Sequence, residues 1–340
     1  MQRLQSTPQQ MAVLLAGIAL SLMVFRAVTA AEVPTSCAPT PGLRPDQDIE
    51  FGACLFRSST AFGQQNPNHI FASCNGCHPD GGTDRGVHPV MITNSQGRTV
   101  IVFRKTLTLR NVSFNFPFGW DGRHGGTMGL AALRAGIQAA STAAITSPLE
   151  MDGRPPTQAQ LEALTAFLLA LSPMQPSDHE PPPPPPPLEQ TTLEQIARGR
   201  DVFFGNTPST QGLKATGTTC AECHPRPFFT DNKIRTNILH PSAQFPLGPD
   251  AGAGFVEAAQ VGAFKTPSLH HFSTDIEPVF MHSGTFGIVS ELFRFYEISL
   301  GFSMTDVERA GLHSWLLHCP KGPTLAPASL PPTCFDADEE

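Results

Sequence analysis

The 340-residue chain is poor in oxidisable aromatics: one tyrosine and two tryptophans stand against 24 phenylalanines. It has no basic excess. The formal charge is −7, which argues against nucleic acid as a partner. Beyond residue 31 no apolar run approaches the ~20 residues of a membrane span. Alternation of apolar and polar residues is sparse outside residues 99–103, so little sheet is expected.

What is present begins with an export signal. Arg3 gives a short basic region, residues 11–25 are apolar, and residues 27–31 offer small side chains for cleavage. Arg26 interrupts the apolar run, which favours a cleaved signal over a membrane anchor. Loss of Arg3 and Arg26, with no acid in residues 1–31, takes the formal charge from −7 to −9. The mature chain is expected in an oxidising compartment, with no stable membrane span.

Four of the eight cysteines form two copies of one motif. They are Cys74-Asn75-Gly76-Cys77-His78 and Cys220-Ala221-Glu222-Cys223-His224. Two thiols at this spacing sit on one turn and can add to the vinyl groups of a haem, with the adjacent His as ligand to the iron. A zinc site needs four ligands converging on one point, and a His directly after the second Cys points badly for that tetrahedron. A redox dithiol would need a βαβ setting, and the sequence has none. Two covalent c-type haems are the reading. With export, they place the chain in a bacterial periplasm. The remaining cysteines, Cys37, Cys54, Cys319 and Cys334, are expected as disulfides. Proximity favours Cys37–Cys54 and Cys319–Cys334, although three pairings are open.

Seven consecutive prolines at residues 181–187 read as a stiff polyproline II spacer. They separate residues 32–180 from residues 188–318, with a tail at 319–340. The two parts repeat each other. Each opens with a helix, at residues 48–58 and at residues 193–204, the second behind a capping box of Thr192 and Gln195. Each then has the C-x-x-C-H. Phe103-Arg104-Lys105-Thr106-Leu107-Thr108-Leu109 corresponds to Phe264-Lys265-Thr266-Pro267-Ser268-Leu269, and Trp120-Asp121-Gly122 to His282-Ser283-Gly284. Each part closes with an amphipathic helix. One carries Leu161, Leu164, Phe167, Leu168 and Leu171 after the box Thr157/Gln160. The other carries Val307, Leu312, Trp315 and Leu316 after Thr305/Glu308. The expected fold is mainly α: two cytochrome c-like haem domains in tandem with long loops.

These motifs, in this order over residues 45–318, resemble the bacterial di-haem cytochrome c peroxidases and their MauG-type relatives. The resemblance rests on the two haem motifs, Thr108-Leu109-Arg110-Asn111-Val112, Gly119-Trp120-Asp121-Gly122-Arg123, Ser147-Pro148-Leu149-Glu150-Met151, the Phe264 segment and Met281-His282-Ser283-Gly284. It implies that the first haem meets hydrogen peroxide and the second takes in or stores electrons. Electrons would come from a small cytochrome c or a cupredoxin. In the MauG branch a high-valent iron state instead oxidises side chains of a protein substrate. A plain di-haem electron-transfer cytochrome is the non-enzymatic rival.

The resemblance also distributes roles. Glu150 falls on the proton-shuttling distal carboxylate, and Trp120 on the tryptophan between the haems. Gln138, the one glutamine between Trp120 and Glu150, is the candidate for a distal glutamine. His88, and more weakly His69, are candidates for a displaceable distal ligand. Tyr296 falls on the sixth-ligand slot of the second haem, where MauG-type members carry a tyrosine and peroxidases a methionine. Met281 and Met304 are its rivals. A tyrosine ligand would favour oxidised iron and a low potential. Calcium between the domains is a family feature, but Lys105 stands where its asparagine ligand belongs, so calcium is not assigned. The shortage of easily oxidised side chains fits oxidising chemistry.

Overall fold

Asp48 starts the first helix. Its carboxylate accepts the Phe51 N–H at 3.0 Å and also the Thr40 N–H and hydroxyl, filling donors that a helix start leaves open. The computed structural model describes residues 36–65, 71–94, 96–171, 189–236, 250–270, 272, 279–320 and 334. The expected export signal, His69, the proline run and most of the tail lie outside the described residues.

In chain order the helices are α1 (Ile49–Arg57), α2 (Cys74–Cys77), α3 (Leu130–Thr146), α4 (Gln158–Ala170), α5 (Gln190–Phe203), α6 (Gln211–Thr216), α7 (Cys220–Cys223), α8 (Val289–Leu300) and α9 (Asp306–His318). The strands are β1 (Val87–Thr93), β2 (Thr99–Lys105), β3 (Ile234–Thr236) and β4 (Ala263–Lys265), in two antiparallel pairs, β1 with β2 and β3 with β4. The described residues are mostly helical, as expected, and fall within one compact unit.

Each half is built on one helix crossing. In the first, α1 lies on α4, and Leu55, Phe56, Leu164 and Phe167 are buried between them. In the second, α5 lies on α9, with Trp315 stacked on Phe203 at 4.2 Å between centroids. Burying each such side chain stabilises the fold by ~1.5–3 kcal/mol. A glycine brings each pair of backbones close. A Cβ on Gly52 would sit 2.1 Å from the Ala163 carbonyl oxygen, and one on Gly199 would sit 2.0 Å from that of Gly311.

The boxes Thr157/Gln160 and Thr305/Glu308 cap α4 and α9 reciprocally. The box expected from Thr192 and Gln195 does not form. α5 begins earlier, at Gln190, and takes both residues into its body. Its first two residues, Gln190 and Thr191, are exposed, so the open N–H groups at this end can face solvent without a side-chain cap. Val307 is half exposed (52 %) rather than part of the apolar stripe, which runs through Gly311, Leu312, Trp315 and Leu316. The strand expected at residues 99–103 is β2, and its partner β1 was not anticipated. Pro89 within β1 masks the pattern and is tolerated in a two-stranded ribbon. Cys37–Cys54 and Cys319–Cys334 are bonded as proximity suggested.

The repeat goes deeper than the helices. Thr83 and Thr230 donate their hydroxyls to the carbonyls of Thr106 and Thr266. The amides of Asp84 and Asp231 bond the carbonyls of Cys77 and Cys223, at 2.9 and 3.1 Å. Gly119 and Met281 share a left-handed backbone (φ 81° and 67°), as do Gly122 and Gly284 (φ 68° and 67°). The two halves therefore hold their C-x-x-C-H motifs in the same backbone scheme.

Candidate haem sites and the seam between them

In both motifs the cysteines form a single helical turn, α2 or α7, and the histidine caps it. His78 Nδ1 lies 3.3 Å from the Gly82 carbonyl, and His224 Nδ1 lies 3.0 Å from that of Phe229. A carbonyl only accepts, so Nδ1 carries the proton and Nε2 keeps its lone pair for a metal. Burial lowers the pKa of His78 to about 4 and that of His224 below its ordinary value, which keeps both rings neutral and able to ligate. Burial also pushes the thiols of Cys74, Cys77 and Cys220 up to about 12. A reactive dithiol needs the opposite shift. Among the described residues, one group of three or more metal-capable side chains converges: Cys77, Asp84 and His88. It contains neither Cys74 nor His78, so neither motif has the ligand set of a zinc site. The donor sets fit c-type haem.

The second motif opens into a cavity of about 320 Å³ lined by Cys220, Cys223 and His224 together with apolar side chains such as Phe293, Leu312 and Leu316. Tyr296, on α8, lines the same cavity, and burial holds its hydroxyl above the ordinary tyrosine pKa. Met281 and Met304 also reach this wall. Trp120 lines it too, although it belongs to the first half.

Around the first motif, Cys74 Sγ lies 3.8 Å from Met151 Sδ, which brings the Glu150-Met151 segment over the motif. Glu150 is half-buried. Burial raises its pKa, and the charges of Arg123 and His88 partly oppose that. His88, on β1, reaches the neighbourhood of Cys77, but its Nε2 is 2.6 Å from Asp84 Oδ2. Gln138 is half-buried on α3, and its carbonyl accepts the Thr142 hydroxyl. Its amide makes no hydrogen bond among the described residues.

Between the halves lies a buried seam. The Lys105 amide bonds the His282 carbonyl at 2.7 Å, and the Lys265 amide bonds the Trp120 carbonyl at 2.8 Å. Lys105 and Lys265 are equivalent in the repeat, as are Trp120 and His282, so each half grips the other through the same pair of positions. The Trp120 indole N–H donates to the Lys105 carbonyl at 2.7 Å, and Phe264 stacks on His282 at 3.8 Å. Arg104 binds Asp250 through two bonds of 3.0 and 2.9 Å and reaches Asp121 at 3.0 Å, while Arg123 pairs with Asp121 at 2.6 Å. A buried, balanced network of this kind is costly to break by removing one member.

Arg104, Asp121 and Arg123 belong to the sequence motifs, which assign them no role, and Asp250 belongs to none of them. Their signal was acid and base flanking Trp120. His124, half-buried with its pKa lowered to about 4 by burial and by Arg123, was also missed. Calcium does not fit the seam. Calcium takes 6–8 oxygen ligands. Here the Lys105 carbonyl already accepts the indole, and Asp121 and Asp250 are held by guanidinium groups.

No protein-family profile matches the chain. No curated protein matches it either. Among solved structures, a MauG-like protein associated with microbial copper homeostasis matches at 15 % identity with a TM-score of 0.51, covering 92 % of this chain and 99 % of that one. A hydrazine synthase from Kuenenia stuttgartiensis, in a xenon-pressurised crystal, aligns at 14 % identity with a TM-score of 0.46, covering 93 % and 99 %. Among the described residues no helix is long and apolar enough to cross a membrane. At these identities the likeness is one of architecture: the chain has a MauG-like fold.

Proposed function

We propose that the chain is a periplasmic di-haem oxidoreductase that reduces hydrogen peroxide to water. The observation that carries this reading is the position of Trp120, a first-half residue on the wall of the second-motif cavity. Cys74, Cys77 and His78 would hold one haem, and Cys220, Cys223 and His224 the other. When bound, the haems supply iron that exchanges electrons with peroxide and with a redox partner.

The rest is done by side chains. Each peroxide takes two electrons and two protons and yields two waters. Glu150, half-buried and with a raised pKa, takes and returns a proton beside the first motif. Trp120, clamped by its indole N–H and its carbonyl, gives electrons a short route across the seam. A small cytochrome c or cupredoxin supplies them at the second half. Export by residues 1–31 places the reaction in the periplasm.

Tyr296 supports a second reading, in which the same centre oxidises side chains of a protein substrate. It lines the same cavity as His224, where its oxygen could serve as a ligand to the second iron and lower that iron's potential; the bound metal would have to offset the burial that holds its hydroxyl protonated. Mixing the oxidised holoprotein with peroxide tests both. A change in the Soret band is expected, and an unchanged spectrum means a plain electron-transfer cytochrome. Steady peroxide turnover with a reduced small cytochrome separates the first reading from the second.

A further inference from the structure

Lys265 is 3 % exposed, yet it places its ammonium at the seam. Its Nζ lies 3.0 Å from the Asn115 carbonyl oxygen and 2.5 Å from Asn115 Oδ1. Asn115 is itself buried and belongs to the first half. The root of the side chain is held at the seam, because the Lys265 amide is fixed on the Trp120 carbonyl at 2.8 Å and its strand, β4, is paired with β3. A long side chain buried and hydrogen-bonded across two halves is a clasp.

The seam has no place for a divalent ion beside it. Arg104 and Arg123 neutralise Asp121 and Asp250, and the Lys265 amine occupies Asn115 Oδ1 and the Asn115 carbonyl. Among the described residues no cluster of carboxylates, histidines or cysteines converges here. We propose that Lys265, donating to Asn115, closes the two halves of this chain in place of a calcium ion, so that the seam is metal-free. Burial lowers the lysine pKa to about 7. The neutral amine still donates N–H bonds, so the clasp persists when the charge is lost.

The test starts with the mature holoprotein, purified with calcium present and then dialysed against calcium-free buffer. Metal analysis should find calcium far below one per chain, and the melting midpoint should be the same in millimolar calcium chloride and in EGTA. One retained calcium per chain, or a midpoint that falls in EGTA, overturns the proposal. This arm needs no variant. The second arm is a double-mutant cycle at pH 6. Asn115→Asp should raise the midpoint when Lys265 is present, because the new carboxylate meets an ammonium. In the Lys265→Met background the same change should lower it, because the carboxylate is buried alone. Equal effects in both backgrounds would show that the two side chains do not act together.

Discussion

Trp120 and His282 hold the same place in the two halves and meet each other edge to face, with ring centroids 6.3 Å apart. The approximate symmetry of the repeat therefore passes between an indole and an imidazole. One is an oxidisable indole and the other an imidazole, so symmetric backbones carry asymmetric chemistry. Each residue offers its carbonyl to the lysine amide of the opposite half, and this fixes the aromatic pair from both sides.

Replacement of Trp120 by Phe keeps an aromatic ring but removes the indole N–H and leaves the half-buried Lys105 carbonyl without that donor. An unmade buried hydrogen bond costs ~1–3 kcal/mol, so the melting midpoint should fall modestly. Peroxide turnover should fall more, while the spectra of both haems persist. Stopped-flow oxidation of the reduced protein would measure it. Unchanged turnover would remove Trp120 from the electron route.

The helix crossings predict a sharp contrast between glycines. Gly199→Ala drives a methyl group to within 2.0 Å of the Gly311 carbonyl oxygen, an overpacking that costs ~1–3 kcal/mol or more. Gly212, on α6, has nothing within 4 Å of an added Cβ. There, Ala should stabilise by ~0.5–1 kcal/mol. Thermal melts of the two variants should move in opposite directions.

The helix pairs were legible because their apolar spacing and caps are local, and the haem motifs because their chemistry is fixed by five consecutive residues. The repeat was legible at the level of motifs. Its finer echo, Thr83-Asp84-Arg85 against Thr230-Asp231-Asn232, is too short to notice without the matching hydrogen bonds. Asp250 lies 146 residues from Arg104, and nothing in the spacing announces that pair. Lys105 did announce a problem for calcium, but the side chain that clasps the seam belongs to its repeat partner Lys265. That is a tertiary fact, set by where Asn115 lands.

Glu150 should impose a pH dependence. Burial raises its pKa, so the carboxyl ionises above the ordinary glutamate value of about 4.3. Taking a proton from arriving peroxide needs the ionised form, so the rate should rise with pH through that raised midpoint. The stability sign is opposite. Between the ordinary and raised values the folded state binds the extra proton, so stability falls as pH rises across that window. Glu150→Gln should flatten the rate limb and slow the peroxide step by about 10²–10⁴-fold. Stopped-flow rates at several pH values would check it, and a limb that survives in the variant would assign it to another group.

Tyr296 decides between the two enzymatic readings. It is the one tyrosine of the chain, and it is half-buried in the cavity wall that also carries His224. If its oxygen binds the second iron, Tyr296→Phe opens a coordination position, and the low-spin bands of that haem should change with no loss of haem. The cavity would remain apolar and the fold intact, because Phe fills the same space among Phe280, Phe286 and Phe295. Removing an oxygen ligand that favours oxidised iron should raise the potential of the second haem, which a potentiometric titration would measure. Electron supply from a small cytochrome would then become easier and oxidation of a protein substrate harder. An unaltered spectrum and potential would instead give the sixth position to Met281 or Met304, and with it the peroxidase reading alone.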